Sequence, residues 1–187
     1  MELDDRILKA IAKLGWLSPT LIQERAIPLI LEGKDVLVRA RTGSGKTAAF
    51  AIPTIQKILT RKHTLMEQET KALILAPSKE LCHQICTVIK DLTIKCSREI
   101  HHVDISPSVD LNVQKPLLVE KPDIIVGTPS RTLQHIKAGN LSLKNSLETI
   151  IIDEADLIFS FGYEDELKQL MGHLPNIYQA ILASATL

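Results

Sequence analysis

The sequence predicts an open α/β domain, a mostly parallel sheet with helices on both faces. Three observations predict it. Short apolar runs alternate with segments of helical periodicity along the chain, the pattern of parallel strands joined by crossover helices. The runs are continuous, as in Leu73-Ile74-Leu75 and Ile150-Ile151-Ile152, and strands buried on both sides read that way. Each unusual polar cluster falls just after such a run, where open α/β sheets bind ligands.

The elements follow in order. Leu3, Ile7, Leu8, Ile11 and Leu14 recur at helical spacing after Asp4-Asp5, and Gly15 ends that first helix. Ser18 is placed to cap a second helix that starts at Pro19, carries Gln23 near its start and is bent or broken at Pro28. Residues 35–39 read as a buried first strand, and a helix runs from Ala48 to about Arg61. The stretch 62–70 is polar and aperiodic, a loop. Residues 71–76 are a second strand, after which Ser78 caps a helix with Leu81, Ile85, Val88, Ile89 and Leu92 on its inner face. A third strand spans 100–105 and a short helix lies within 106–120. A fourth strand, 123–126, leads to a helix capped by Thr128 with Pro129 first, and 147–152 and 178–183 complete the sheet.

Between the first strand and its helix stands Ala40-Arg41-Thr42-Gly43-Ser44-Gly45-Lys46-Thr47. Strand, glycine loop, Lys-Thr and helix make a phosphate-binding loop. Gly43 and Gly45 let successive backbone N–H groups curl toward phosphate oxygens, and the helix presents its positive end to the same anion. Lys46 supplies a point charge and the Thr47 hydroxyl a ligand for Mg²⁺. Asp153-Glu154 follows three isoleucines. A carboxylate at that strand end can hold Mg²⁺ through water, and its neighbour can take a proton from an attacking water. Lys46, Asp153 and Glu154 are thus the catalytic candidates, with Thr47 and Asp153 as the metal partners. Gln23 carries a donor and an acceptor on one amide, the pair needed to read an adenine edge; taken alone it reads as a solvated surface residue.

Composition narrows the classes. The chain has 187 residues, 22 Lys+Arg and 22 Asp+Glu, so its formal net charge is zero. A dominant nucleic-acid surface would show as a basic excess, so any such site is local. Three cysteines, Cys82, Cys86 and Cys96, make no disulfide framework and read as core residues of a reducing compartment. His101-His102 lacks ligands at metal spacing and reads as structural. No apolar run approaches the ~20 residues of a membrane span, and no signal peptide is visible. The first helix begins almost at Met1 and the last polar cluster ends the chain, so both ends look cut.

Taken together the clusters resemble a known family. Gly-Trp-x-x-Pro-Thr-x-Ile-Gln at residues 15–23, Ala-x-Thr-Gly-Ser-Gly-Lys-Thr at 40–47, Asp-Glu-Ala-Asp at 153–156 and Ser-Ala-Thr at 184–186 occur in the order of the first RecA-like domain of a DEAD-box RNA helicase. The resemblance covers nearly the whole chain. It implies one RecA-like ATP-binding domain over residues 1–187, with a second such domain absent. It implies adenine nucleotide contacts from Trp16, Gln23 and Thr42, Gly43, Ser44, Gly45, Lys46 and Thr47, with ATP and Mg²⁺ as cofactors. Asp156, Ser184 and Thr186 would couple hydrolysis to RNA strand separation. Pro77, Ser78 and Lys79, and Thr128, Pro129, Ser130 and Arg131, resemble segments that grip the RNA sugar-phosphate backbone, so RNA would be bound without regard to sequence. The implied partners are RNA and the second RecA-like domain of the same chain, with no membrane and a monomeric isolated domain.

Departures accompany the resemblance. Asp104-Ile105-Ser106-Pro107-Ser108 stands where the family has a double glycine, Lys79 replaces an arginine and Ser130 a glycine. The family's aromatic upstream of the glutamine would fall before Met1. The segment Phe159-Ser160-Phe161-Gly162-Tyr163-Glu164 is similar to a nucleolar subgroup involved in large ribosomal subunit assembly; in packing terms the two phenylalanines read as core or as a helix–helix patch. The expected function is the ATP-binding half of an RNA helicase in the nucleus and nucleolus. The alternative is a nucleotide-dependent RNA-binding or scaffold module with negligible turnover. A DNA helicase is disfavoured by Gln23 and Asp-Glu-Ala-Asp, and a GTPase by the lack of an Asn-Lys-x-Asp guanine reader.

Overall fold

A computed structural model describes residues 2–64 and 67–186. Six strands form one sheet: β1 (Val36–Arg39), β2 (Ala72–Leu75), β3 (His102–Asp104), β4 (Ile124–Gly127), β5 (Thr149–Ile152) and β6 (Gln179–Ser184). Their order is β1-β6-β5-β2-β4-β3 and all five pairings are parallel. Eight helices are described: α1 (Asp5–Lys13), α2 (Leu21–Leu31), α3 (Lys46–Lys62), α4 (Lys79–Leu92), α5 (Leu111–Val119), α6 (Pro129–Lys137), α7 (Ala155–Ser160) and α8 (Glu164–Met171). Among the described residues no helix is long and apolar enough to cross a membrane.

The pleat sorts alternate residues onto two cores. Ala72, Ile74, Ile124, Val126, Ile151 and Ile181 pack beneath α1 to α4. Leu73, Leu75, Ile125, Ile150 and Ile152 pack with Leu118 of α5, Leu133 of α6, Ile158 of α7 and Leu167 of α8. The three central strands β2, β4 and β5 are buried throughout, which is why they read as unbroken apolar runs. Strand β1 departs from the expected buried strand. It is a sheet edge, and Leu37 is 58% exposed. Cys82 and Cys96 are buried and Cys86 is half-buried, all packed in the first core.

Local chemistry corrects several expectations. Thr20, not Ser18, caps α2: its hydroxyl accepts from the Gln23 N–H, and the Gln23 amide oxygen accepts from the Thr20 N–H at 3.0 Å. This reciprocal pair satisfies two otherwise orphan donors, which a Ser18 cap would not do. It also buries Gln23, which is 8% exposed and not the solvated residue its isolated reading implied. Pro28 does not break α2, which continues to Leu31 because Pro28 costs only one intrahelical bond and its own carbonyl still accepts from Glu32 N–H. Leu8 is exposed; Ile7 and Ala10 bury the inner face of α1. Thr128 sits at the cap position of α6, but its side chain makes no cap hydrogen bond, and Pro129 at N1 has no N–H to satisfy. Phe159 and Phe161 are 47% and 57% exposed, so neither is core. Residues 65 and 66 of the expected polar loop lie outside the described residues.

Asp4 caps α1, accepting from Arg6 N–H at 2.9 Å while Arg6 Nε and Nη2 close a fork on its two oxygens. The Arg6 hydrogen bond lowers the Asp4 pKa from 3.8 to about 2, against a smaller opposing effect of burial. A depressed carboxyl stabilises the fold above its ordinary value and loses that contribution as pH falls through the folded value. Asp4→Ala is therefore expected to cost about 1 kcal/mol at neutral pH. Thermal unfolding of both forms against pH should show a constant gap above 3.8 that closes toward about 2. A gap unchanged down to that pH would mean that the carboxylate charge contributes nothing.

Candidate functional site

The carboxyl edge of the sheet gathers the polar clusters, and the strand order divides them. The loop after β1, the Asp153-Glu154 turn after β5 and the end of β6 occupy one half. The segments after β2, β4 and β3 occupy the other.

In the first half, residues 40–45 turn from β1 into α3. Gly43 and Gly45 both have φ near +85°, at 85° and 82°, the left-handed conformation that frees the loop to curl. Gly45 is also a point of close approach. A Cβ there would lie 2.5 Å from Gln23 Nε2 and 2.9 Å from Thr20 Oγ1. Gln23 Nε2 donates to the Gly45 carbonyl at 3.3 Å, so the α2 capping box braces the loop directly. Thr42, Gly43, Gly45, Lys46, Thr47, Asp153 and Glu154 line one cavity of about 290 Å³. The Ser44 hydroxyl is turned back on the Arg41 carbonyl.

Lys46 is the first residue of α3 and is buried. Its Nζ lies 2.7 Å from Glu154 Oε1 and 3.3 Å from Asp153 Oδ1. Burial works against the ammonium charge, but the Glu154 hydrogen bond and the two carboxylates outweigh it and hold the Lys46 pKa above its ordinary value. Burial pushes the Asp153 carboxyl up, with Glu154 adding to it, and the Lys46 ammonium only partly offsets this. Glu154 itself has φ +51°, an uncommon conformation for a residue with a side chain. It turns the chain out of β5 and brings its N–H onto Asp153 Oδ1 at 2.9 Å. A pair of carboxylates, a lysine and a curled N–H loop fit a phosphate chain with its metal.

The coupling candidates also meet. Thr186 Oγ1 donates to Asp156 Oδ2 at 2.6 Å, and Thr186 N–H donates to Ser184 Oγ at 3.3 Å. The Thr186 hydroxyl lowers the Asp156 pKa, and Asp156 Oδ1 is buried without a partner. Trp16 stands apart from the phosphate cavity: with Leu8, Ile11, Leu17 and Gln23 it lines an apolar groove of about 380 Å³ behind α2. Gln23 is thus the link between groove and loop.

In the second half, Ser78 Oγ accepts from Leu81 N–H and caps α4, leaving Lys79 exposed beside it. Pro77, Thr128 and Pro129 are buried and Ser130 is half-buried. Arg131 is turned inward, with Nη1 donating to Val109 O at 2.7 Å and Gln114 Oε1 at 2.9 Å. Sequence reading missed two features here. Gln84 of α4 lines the phosphate cavity with Leu81, Ile85 and Val88, three residues that had been read only as an inner apolar face. Gln114, inside a segment with no clear periodicity, is 1% exposed and joins α5 to α6. A single glutamine among the mixed residues of either segment gave no signal.

The fold and this arrangement define a RecA-like domain, and comparison with known proteins gives its family. The chain belongs to the DEAD/DEAH box helicases, whose family model matches residues 20–187. Among curated relatives it is 42% identical over all 187 residues to the "Probable ATP-dependent RNA helicase ddx56" of Dictyostelium discoideum. It is 44% identical over its full length to the ATP-dependent RNA helicase dbp9 of Botryotinia fuckeliana, and 44% identical to that of Schizosaccharomyces pombe. The chain spans 27% of the first of these proteins and 31% of the other two. A crystal structure of a DEAD box protein from the hyperthermophile Methanococcus jannaschii superposes with a TM-score of 0.89 at 34% identity, covering 100% of this chain and 49% of that one.

Proposed function

We propose that this domain is the ATP-binding half of an RNA helicase, in which ATP hydrolysis is coupled to RNA binding and strand separation. The observation that carries the reading is the Lys46–Glu154–Asp153 cluster facing a curled glycine loop that Gln23 braces. Backbone N–H groups of residues 43–47 and the positive end of α3 would hold the β- and γ-phosphates. Lys46 is already charged and aimed into the cavity, but it is paired with Glu154. Nucleotide phosphates would draw the ammonium away, which frees the Glu154 carboxylate to take a proton from an attacking water. Mg²⁺ needs only one or two protein oxygens when phosphates and waters fill its other positions. The Thr47 hydroxyl and the Asp153 carboxylate line the same cavity and fit that role. When bound, the ion would neutralise charge on the phosphates.

Asp156, Ser184 and Thr186 form a direct link from the turn after β5 to the end of β6, so the coupling candidates share the nucleotide half of the edge. A second RecA-like domain following this one, and closing on it, is part of the proposal. So is a place in large ribosomal subunit assembly in the nucleolus. That assignment is supported by the Phe159-Ser160-Phe161-Gly162-Tyr163-Glu164 segment, and the likeness to ddx56 and dbp9 supports the RNA-helicase reading itself.

Titration of ADP and GDP against the chain and its Gln23→Ala variant tests the nucleotide reading. ADP should bind more tightly than GDP, and Gln23→Ala should weaken ADP by ~1–3 kcal/mol, the scale of one bidentate base contact. Part of that loss would come from the Gly45 brace, because one Nε2 hydrogen holds the Gly45 carbonyl while the second is left to read a base. Equal affinity of the unmodified chain for both nucleotides would remove the adenine-reading role.

RNA would lie across Pro77–Lys79 and Thr128–Ser130, where helix N-termini, hydroxyls and the Lys79 cation converge. With zero net charge and half a site, binding of single-stranded RNA should be weak and its salt slope shallow. Lys79→Ala should weaken unrelated RNA sequences to the same degree in an anisotropy titration. A strong preference of the chain for one sequence would count against backbone contacts.

A further inference from the structure

Arg131 does not face solvent as a free cation. Its Nη1 donates to Val109 O at 2.7 Å and to Gln114 Oε1 at 2.9 Å, and its Nε donates to Gln134 Oε1 at 3.1 Å. Gln114 is the hub of what it touches. Its Nε2 donates to Ser106 O at 2.8 Å, and its Oε1 also accepts from the His135 ring at 2.8 Å. Asn140 Nδ2 lies 3.2 Å from His135 Nδ1. An amide N–H on Nδ1 requires that nitrogen to accept, so the ring proton sits on Nε2 and points at Gln114. Burial, helped by the nearby Arg131 charge, lowers the His135 pKa and favours this neutral form.

Ser106 and Val109 bound the short loop after β3. Ser106 is wholly buried, its N–H donates to Asp104 Oδ1 at 2.8 Å, and Pro107, Ser108 and Val109 are exposed. From the other side, His83 Nε2 of α4 lies 3.0 Å from Asp104 Oδ2 and 3.4 Å from Ser106 Oγ. The loop is therefore held at both ends by side chains. It stands on the carboxyl edge beside the segments after β4 and β2, since the strand order there is β2-β4-β3.

We propose that Arg131 and Gln114 are positioning residues: they clasp residues 106–109 so that the exposed tip, rather than the Arg131 guanidinium, meets the RNA backbone. The proposal rests on the RNA-binding reading above. The clasp replaces the conformational freedom of a double glycine with side-chain hydrogen bonds, and it uses the one arginine whose sequence context implied a phosphate contact. A planar guanidinium suits this because it can serve two acceptors at once, which a lysine cannot do with the same geometry.

Salt dependence separates the two roles. Removing a phosphate contact lowers the slope of log K against log salt by about 0.7 for single-stranded RNA, whereas removing a positioning residue lowers affinity at unchanged slope. The experiment measures binding of a labelled oligouridylate to the chain and to Arg131→Ala, Arg131→Lys, Gln114→Ala and the Arg131→Ala/Gln114→Ala pair, together with hydrogen exchange of the amides of residues 105, 106, 108 and 109 without RNA. Expected are faster exchange in every variant, a roughly tenfold weaker affinity on the scale of one charge-assisted hydrogen bond, an unchanged slope, and no further loss in the pair. ADP affinity should be unaffected, which separates the effect from general destabilisation. Unchanged exchange in Arg131→Lys and Arg131→Ala would overturn the clasp whatever RNA does. A reduced slope in Arg131→Ala with affinity kept in Arg131→Lys would make Arg131 a phosphate contact and overturn the proposal. Faster exchange with no RNA binding by any form would overturn the RNA reading and the loop's part in it, while leaving the clasp as a property of the fold.

Discussion

Given ATP, Mg²⁺ and single-stranded RNA, residues 1–187 are expected to release phosphate at close to the uncatalysed rate, although they bind adenine nucleotide. Lys46, Thr47, Asp153 and Glu154 share one cavity, and in the proposed reading they hold ATP–Mg²⁺ and orient a water. They do not neutralise the charge that spreads over the γ-phosphoryl oxygens in the transition state. In related phosphoryl-transfer enzymes an arginine finger does so, worth on the order of 10³–10⁵ in rate. No arginine lines this cavity among the described residues, and Arg39 and Arg41 are exposed. Glu154 is moreover engaged by Lys46 at 2.7 Å, so the base is occupied until nucleotide displaces it. Joining a second RecA-like domain should restore RNA-stimulated turnover, and Glu154→Gln should abolish it there. RNA-stimulated turnover by residues 1–187 that vanishes in Glu154→Gln would show a complete site in this domain alone. Failure of the second domain to restore any turnover would favour the scaffold alternative.

The second large effect belongs to Gly45→Ala. An alanine at φ +82° carries strain of about 1–2 kcal/mol, and its methyl would meet Gln23 Nε2 at 2.5 Å and Thr20 Oγ1 at 2.9 Å. Gln23 can swing away because the contact is with the end of its side chain, so the domain should still fold. The Gly45 brace and the reciprocal cap would be lost with it, about 1 kcal/mol each. With Gln23 turned away from the adenine edge, ADP affinity should fall by the ~1–3 kcal/mol of one bidentate base contact, up to about 100-fold at 1.4 kcal/mol per tenfold. The preference for ADP over GDP should disappear as well, since the reader and the loop move together. A calorimetric titration of a folded Gly45→Ala chain that returned near-normal ADP affinity would show that the brace is irrelevant to binding.

The layout of the sheet and the nucleotide half of its edge were legible in the sequence because each depends on local signals. Buried parallel strands must be apolar on both faces, and a phosphate loop must carry glycines where φ is positive; both leave marks within a few residues. What was not legible depends on partners far away in the chain. The α2 cap is the exception: Thr20-x-x-Gln23 is a local capping-box pattern, which Ser18, with Leu21 three residues on, does not share. The inward turn of Arg131 depends on Gln114, 17 residues earlier, and on Val109, 22 residues earlier. The exposure of Phe159 and Phe161 could not be read either, because α7 is only six residues long and Ala155 and Ile158 suffice to anchor its buried side. That Lys46 is paired with Glu154 across 108 residues is likewise a tertiary fact.

A crystal structure of residues 1–187 with ADP and Mg²⁺ tests the central claim most directly. The β-phosphate is expected on the backbone N–H groups of residues 43–47, with Lys46 Nζ on a phosphate oxygen and no longer at 2.7 Å from Glu154. Gln23 should meet the adenine edge with its second Nε2 hydrogen while the Gly45 carbonyl keeps the first. Nucleotide bound with the Lys46–Glu154 pair intact, or seated away from the loop at residues 42–47, would contradict it.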